Sequence, residues 1–220
     1  MTAASLFTRS HDFAVPVPEK SIDTIQSQSS DIIRFVRVIG GIHRGRRLST
    51  VKGFDVRPTS DRLRETLFNI LAPDVLGSRF LDICAGSGAV GIEASSRGAR
   101  QVTFIDNSRR ARSSIEENLR ALGVKDVGAV INRDAAAAIK QLAEEGKEFD
   151  IVFFDPPYAS DIYPVVMRLL DQLPVLSVDA IVVVEHRAKA PPEDRYGRLR
   201  IYRVVKQGES ALAFYRADPA

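Results

Sequence analysis

Cysteine occurs once, at Cys84, and histidine three times, at His11, His43 and His186. A lone thiol excludes an intramolecular disulfide and points to a reducing compartment, the cytoplasm. The three histidines have no metal-ligand spacing and form no triad with a nucleophile, so no metal site is expected. His186 is expected to be structural or solvent-exposed, and Cys84 a small buried hydrophobe. No apolar run reaches the roughly 20 residues that a membrane helix needs. The N-terminus lacks the basic-then-apolar layout of a signal peptide. Neither a repeat nor a low-complexity tract is found.

What is present reads as an ordinary globular chain: 220 residues, 45% hydrophobic and 27% charged. That length suits one domain with at most a small appendage. The net charge is only +3, yet its distribution is uneven. Nine basic residues lie between Arg34 and Arg64, opposed only by Asp55 and Asp61. That block exceeds the net charge of the whole chain, so the remainder is net acidic. Such a block is either a polyanion-binding face or a solvated basic surface. Residues 1–34 are polar with little apolar periodicity and read as a disordered leader.

Phe35 to Ile39 alternates with basic residues and runs into Gly40-Gly41, a short strand and turn. Arg47 to Val51 is its candidate partner, giving a basic hairpin over residues 35–58. Pro58-Thr59-Ser60 then opens a helix with Thr59 or Ser60 as N-cap. Leu63, Leu67, Phe68 and Leu71 share one face of it, and Pro73 is expected to end it.

From residue 79 onward strand and helix alternate. Strands are expected at Phe80–Cys84, Gln101–Ile105, Val127–Ile131, Asp150–Phe154 and Ala180–Glu185. Helices are expected at Val90–Ser96, Arg109–Leu122, Ala135–Glu145 and 162–172. Strands apolar on both faces imply a parallel sheet covered on both sides, an α/β fold. Leu199–Val205 and Ser210–Tyr215 are joined too tightly for a crossover helix, so they must pair antiparallel.

The chemistry concentrates at strand ends. Asp82-Ile83-Cys84-Ala85-Gly86-Ser87-Gly88 forms the first strand-to-helix junction, where glycines let a ligand approach the backbone. A tight turn would use the same glycines. Gly91 also stands where a third dinucleotide glycine would, so glycines alone leave a dinucleotide open. Asp82 counts against pyrophosphate, because a carboxylate at the strand end suits a cation or an amine. Asp106 could accept both ribose hydroxyls of an adenosine, and Asp134 the adenine amino group. Either could instead cap the following helix, as could Asn107 or Ser108 in the case of Asp106. Three acids at successive strand ends favour adenosine.

Asp155-Pro156-Pro157-Tyr158 follows the fourth strand. The Asp155 carboxylate and the Pro156 carbonyl can accept the two N–H bonds of a planar exocyclic amine, freeing its lone pair for attack on a methyl donor. Two prolines stiffen the loop, and Tyr158 offers a π-face to a base taken out of its stack. The motif serves adenine N6, cytosine N4 and guanine N2 alike.

With these motifs in place, the sequence resembles the RsmD-type family of bacterial 16S rRNA (guanine-N2) methyltransferases. The resemblance runs from about residue 35 to 216. It includes Arg37-Val38-Ile39-Gly40-Gly41, Arg44-Gly45-Arg46-Arg47-Leu48, Arg57-Pro58-Thr59-Ser60-Asp61-Arg62, Arg64-Glu65-Thr66-Leu67-Phe68-Asn69, Leu81–Gly88, Asp155–Tyr158 and Tyr196-Gly197. Cys84 stands where the family often has an aromatic, and Asp106 where it often has glutamate.

The resemblance implies a seven-stranded, Rossmann-like S-adenosylmethionine (SAM) methyltransferase sheet over residues 59–220. A C-terminal antiparallel hairpin ends that sheet, and a small N-terminal hairpin precedes it. It implies SAM as donor, S-adenosylhomocysteine as product, and N2 of a guanine in 16S rRNA as acceptor, guanine 966 in the family. Asp155, Pro156, Pro157 and Tyr158 would then hold the base. Asp82, Ala85, Gly86, Ser87, Gly88, Asp106, Asn107, Asp134, Ala135 and Asp155 would surround the donor. Arg37, His43, Arg44, Arg46, Arg47, Arg57 and Arg62 would grip rRNA, free or in an assembled small subunit. The protein would act as a monomer, away from membranes. The competing readings are a DNA adenine-N6 or other nucleobase methyltransferase, a nucleotide-dependent oxidoreductase, and a non-catalytic RNA-binding protein.

Overall fold

The apolar runs read from the sequence pair into one large sheet, with the basic segment forming a small one beside it. The computed structural model describes residues 36–50, 61–157 and 161–218. The small sheet pairs β1 (Val36–Arg37) with β2 (Arg47–Leu48), antiparallel. The helix α1 (Asp61–Val75) leads into β3 (Arg79–Ile83), α2 (Ala89–Ser96), β4 (Gln101–Ile105), α3 (Arg109–Leu122) and β5 (Gly128–Ile131). Then follow α4 (Ala135–Glu144), β6 (Phe149–Phe154), α5 (Ile162–Gln172), β7 (Leu176–Arg187), β8 (Arg195–Tyr196), β9 (Leu199–Gln207) and β10 (Ser210–Ala217).

The large sheet runs β5-β4-β3-β6-β7-β10-β9-β8. The first five strands in that order are mutually parallel, and β10, β9 and β8 add antiparallel. The expected α/β fold with its C-terminal hairpin is therefore present. It has eight strands rather than seven, because two residues, Arg195 and Tyr196, zip onto β9 at the edge. Alternate residues of each strand supply two cores. Phe80, Ile151, Phe153, Val183 and Phe214 pack under α1, α2 and α3. Leu81, Ile83, Val152, Phe154, Val184 and Tyr215 pack under α4 and α5.

Among the boundaries that differ from expectation, three bear on the core and the site. The helix α1 continues past Pro73 to Val75. The missing Pro73 N–H costs one bond, and the buried Val75 and Leu71 hold the last turn against the core. Strand β3 stops at Ile83, because Cys84 takes a left-handed φ of +64° and begins the loop. Strand β7 starts four residues earlier than its apolar run, at Leu176. Val51, Arg57, the expected N-caps Thr59 and Ser60, Tyr158 and the expected leader lie outside the described residues.

The hairpin is held by α2. The fully buried Glu93 carboxylate accepts the Ile39 and Gly40 N–H groups, at 2.7 Å each, and pairs with Arg97 Nε at 2.7 Å. Ser96 Oγ donates to the Gly40 carbonyl at 2.6 Å and accepts the His43 N–H at 3.0 Å. Gly41 has φ +75°, and a Cβ there would fall 1.8 Å from the Ser96 carbonyl oxygen, so only glycine fits this turn. Arg64, counted within the basic block, does not belong to a surface. It is fully buried and donates from Nη2 to the Arg37 carbonyl at 2.6 Å and to Asp61 at 3.1 Å.

Candidate active site

Strand order decides where the site is. From β3 the chain steps outward to β4 and β5, then returns to pair β6 on the other side of β3. Connections leave in opposite directions at this point, which opens a crevice beyond the carboxyl ends of β3 and β6. The loop after β3 and the motif after β6 both stand there. They are joined directly, since the Asp155 N–H donates to the Ile83 carbonyl at 3.2 Å.

The loop after β3 is shaped by left-handed backbone at Cys84, Gly86 (φ +56°) and Gly88 (φ +76°). The Cys84 and Ala85 N–H groups both reach the Ile105 carbonyl, at 2.9 and 3.1 Å, folding the loop over the end of β4. Nothing lies within 4 Å of the position a Cβ on Gly86 would take, so the loop faces open space there. At Gly88 and Gly91 a Cβ would press on Ile115 and Phe104, at 3.0 and 2.3 Å. Those two glycines let α2 sit close to the sheet.

Carboxylates occupy this loop's backbone donors. Asp106 accepts Gly86 N–H through Oδ2 and Ser108 N–H through Oδ1, both at 2.9 Å. Asp82, only 2% exposed, accepts Gly91 N–H at 2.9 Å. A pyrophosphate would need such donors for itself. With two of them taken by acids, the dinucleotide alternative loses its anchor. The cap of α3 is Ser108, whose side chain accepts from Ala111 N–H at 3.3 Å, so Asp106 is not that cap. Asp134 does cap α4, accepting Ala137 N–H at 3.1 Å through one oxygen.

Negative charge is concentrated here. Burial and then the carboxylates Asp106, Asp155, Asp82 and Asp134 push the Cys84 thiol up, which places four acids around one residue. Burial lifts Asp82 to about 7, opposed by the Gly91 bond and aided by Asp106. Asp155 is held well above the ordinary carboxylate range, first by burial, then by Glu185 and Asp82. The charged neighbours that raise Asp82 and Asp155 are themselves carboxylates. Glu185 was not anticipated from the sequence. It is buried in β7, one residue beyond the Phe154–Val184 pairing and so alongside Asp155. Its signal was present but weak: an acid closing an apolar strand beside the Asp-Pro-Pro motif.

Of the expected site residues, the structure brings Asp82, Ala85, Gly86, Ser87, Gly88, Asp106, Asn107, Asp134, Ala135, Asp155 and Pro156 to the carboxyl ends of the parallel strands. Asn107 and Pro157 are exposed, and Ala135 and Pro156 are buried. The basic residues stand apart from them. Arg37, Arg44, Arg46, Arg47 and Arg62 are exposed. The turn between β1 and β2 docks at Ser96, the far end of α2 from the loop, about 12 Å along an eight-residue helix. Arg46 donates to the Ala121 carbonyl near the end of α3 at 3.0 Å. The His43 ring faces inward, with Nε2 enclosed, so it does not line the basic surface. His186 is buried, its Nδ1 2.8 Å from the Arg187 carbonyl, as a structural residue. Among the described residues no group of acids, histidines and cysteine could hold a metal, and no helix is long and apolar enough to cross a membrane.

Known proteins resemble this chain over most of its length. The family model described as conserved hypothetical protein 95 matches residues 36–216. The ribosomal RNA small subunit methyltransferase D of Haemophilus influenzae is 35% identical over 185 residues, spanning 82% of this chain and 92% of that protein. The solved structure of yhhF from Escherichia coli superposes with a TM-score of 0.73 at 35% identity, covering 84% of this chain and 98% of that one. A structure of a more distant protein complexed with SAH shares the fold, with a TM-score of 0.58 at 14% identity.

Proposed function

Since the chain belongs to the RsmD family of ribosomal RNA methyltransferases, we propose that it methylates the exocyclic N2 of a guanine in 16S rRNA, the family's guanine 966, and that SAM is the donor. The observation that carries this is the bond from Asp155 N–H to the Ile83 carbonyl. It holds Asp155 and Pro156, whose carboxylate and carbonyl are the proposed amine acceptors, beside the loop that faces open space at Gly86.

The residues fit this donor. SAM supplies an electrophilic methyl group on a sulfonium, and it also carries an ammonium group. Both positive charges suit a crevice in which the charged groups that raise Asp82 and Asp155 are themselves carboxylates. Asp106 has lone pairs left for ribose hydroxyls after its two backbone bonds, and Asp134 has one oxygen left for an adenine amino group. Asp82 is turned inward, so it shapes the loop and adds negative potential without touching the donor. Ala85, Ser87, Asn107 and Ala135 complete the wall.

Asp155 accepts one N–H of the guanine amine and the Pro156 carbonyl accepts the other. With SAM bound, its sulfonium would supply the methyl group to the freed amine lone pair, leaving as the neutral thioether, and the amine would release its proton afterwards. Asp155 orients the amine and stabilises its developing positive charge, with no proton abstracted before attack. Pro157 stiffens the turn and Tyr158 stacks on the base. Arg37, Arg44, Arg46, Arg47, Arg57 and Arg62 grip rRNA phosphates, and the protein works as a monomer in the cytoplasm.

Methyl transfer from tritiated SAM tests the assignment. The acceptors are small ribosomal subunits and free rRNA from a strain lacking this protein, followed by nucleoside analysis. N2-methylguanosine at one site is the expected product. N6-methyladenosine, or label on duplex DNA, would move the protein to the nucleobase methyltransferase alternative. Donor binding without transfer to any nucleic acid would overturn the substrate.

A further inference from the structure

Asn118 lies on the inner face of α3 and is only 2% exposed. A buried asparagine needs partners for one carbonyl and two N–H bonds. Its Oδ1 accepts the Ser49 N–H at 2.7 Å. Its Nδ2 donates to the Ser49 carbonyl and to the Ser87 carbonyl, at 3.0 Å each. Ser49 is the residue that follows β2, two positions from Arg47. Ser87 stands between the left-handed Gly86 and Gly88, at the centre of the loop after β3. One side chain therefore bonds to both the basic hairpin and the ligand loop.

Each end is poised to depend on it. With glycine on either side, the Ser87 peptide has no Cβ neighbours to limit its rotation. The peptide joining Ser87 to Gly88 is held from two sides: its N–H donates to the Ala85 carbonyl at 2.8 Å, within the loop, and its carbonyl accepts from Asn118 at 3.0 Å, the bond that ties it to α3. On the hairpin side, Ser114 Oγ donates to the Ser49 carbonyl at 2.9 Å and Arg46 to the Ala121 carbonyl at 3.0 Å. Residues 114, 118 and 121 form one stripe of α3, so the strand after the turn is laced along a single helix face.

We propose that Asn118 is a positioning residue that couples the hairpin to the loop, so that RNA and methyl donor strengthen each other's binding. The inference rests on the reading above, in which the hairpin grips RNA and the loop holds the donor. RNA that orders the hairpin fixes Ser49, Ser49 fixes Asn118, and Asn118 sets the Ser87 peptide. Linkage makes the effect reciprocal, with one factor in both directions.

The test measures two dissociation constants, each with and without the other ligand at saturation: S-adenosylhomocysteine by calorimetry, and unmethylated small-subunit rRNA by fluorescence anisotropy. In the parent protein each ligand should tighten the other by the same factor, about fivefold or more. In Asn118→Ala the factor should fall to about one, in addition to any loss of affinity. Ser114→Ala keeps the Asn118–Ser87 bond. It should leave S-adenosylhomocysteine binding unchanged without RNA, yet reduce the factor, which serves as the readout if Asn118→Ala does not fold. A purely structural Asn118 would weaken both ligands and keep the factor. That result, an undiminished factor in Ser114→Ala, or no coupling in the parent, would overturn the proposal. Failure of the parent to bind RNA at all would instead overturn the function on which it rests.

Discussion

Replacing Asp82 by asparagine should change how stability responds to pH. In the ligand-free protein the Asp82 carboxyl is lifted from the ordinary 3.8 to about 7, because burial outweighs the single Gly91 N–H bond. A carboxyl with a raised folded pKa binds its proton more tightly in the folded state than in the unfolded one. Its contribution is therefore most favourable below about pH 4, falls as pH rises toward 7, and is flat above that. Three pH units correspond to roughly 4 kcal/mol, of which about 3 kcal/mol is lost between pH 5 and pH 8. Asparagine presents the same acceptor to Gly91 N–H and does not titrate. The parent should thus lose more stability than Asp82→Asn between these pH values, by about 3 kcal/mol in urea unfolding or roughly 8 °C in Tm. Asp155 titrates in both proteins, and because the Asp82 charge helps to raise it, its folded pKa is lower in the variant, which adds to the difference in the same direction. Parallel pH profiles for parent and variant would refute the reasoning, since they would mean that Asp82 is ionised at no cost in the folded protein.

Four further outcomes are expected. Asp155→Ala should lower kcat far more than it weakens donor binding. Glu185→Gln removes a like charge beside Asp155, so the acidic limb of the kcat profile should move to lower pH; an unmoved limb would separate the two groups. Glu93→Ala leaves the Ile39 and Gly40 N–H groups and Arg97 without their acceptor, and should cost about 3 kcal/mol in urea unfolding, with faster hydrogen exchange at those two amides. Arg44→Ala should reduce the slope of log K against log salt for rRNA binding by about 0.7 to 1, whereas a merely solvated basic surface predicts no change.

The parts of this protein that announced themselves in one dimension are those governed by local rules. Alternating apolar runs and helical periods marked the strands and helices from residue 79 onward, because burial on two faces or on one stripe leaves a short-range pattern. Gly86 and Gly88 marked a loop, because few residues take a left-handed φ. Asp155-Pro156-Pro157 marked the turn proposed to bind the amine, because that chemistry needs two adjacent acceptors in a stiff turn. The β8 edge strand had no such mark, since two residues carry no period. Pro73 misplaced a helix end, since its local penalty was smaller than the packing of Val75.

Composition and local pattern by themselves determined the α/β class, the glycine loop and the stiff Asp-Pro-Pro turn after β6. Only the tertiary structure decided what each charge does. Arg64 and Glu93 look like any other charged helix residues in sequence, yet both are fully buried, one bonded to the Arg37 carbonyl and the other holding two hairpin amides. Asp82, Asp155 and Glu185 lie far apart along the chain and become neighbours through the β3–β6–β7 register. Asn118 gained its meaning from two residues, Ser49 and Ser87, that packing brought to it from opposite sides. Burial and electrostatic coupling depend on distances in space, and those distances are set by long-range packing that no short stretch of sequence contains.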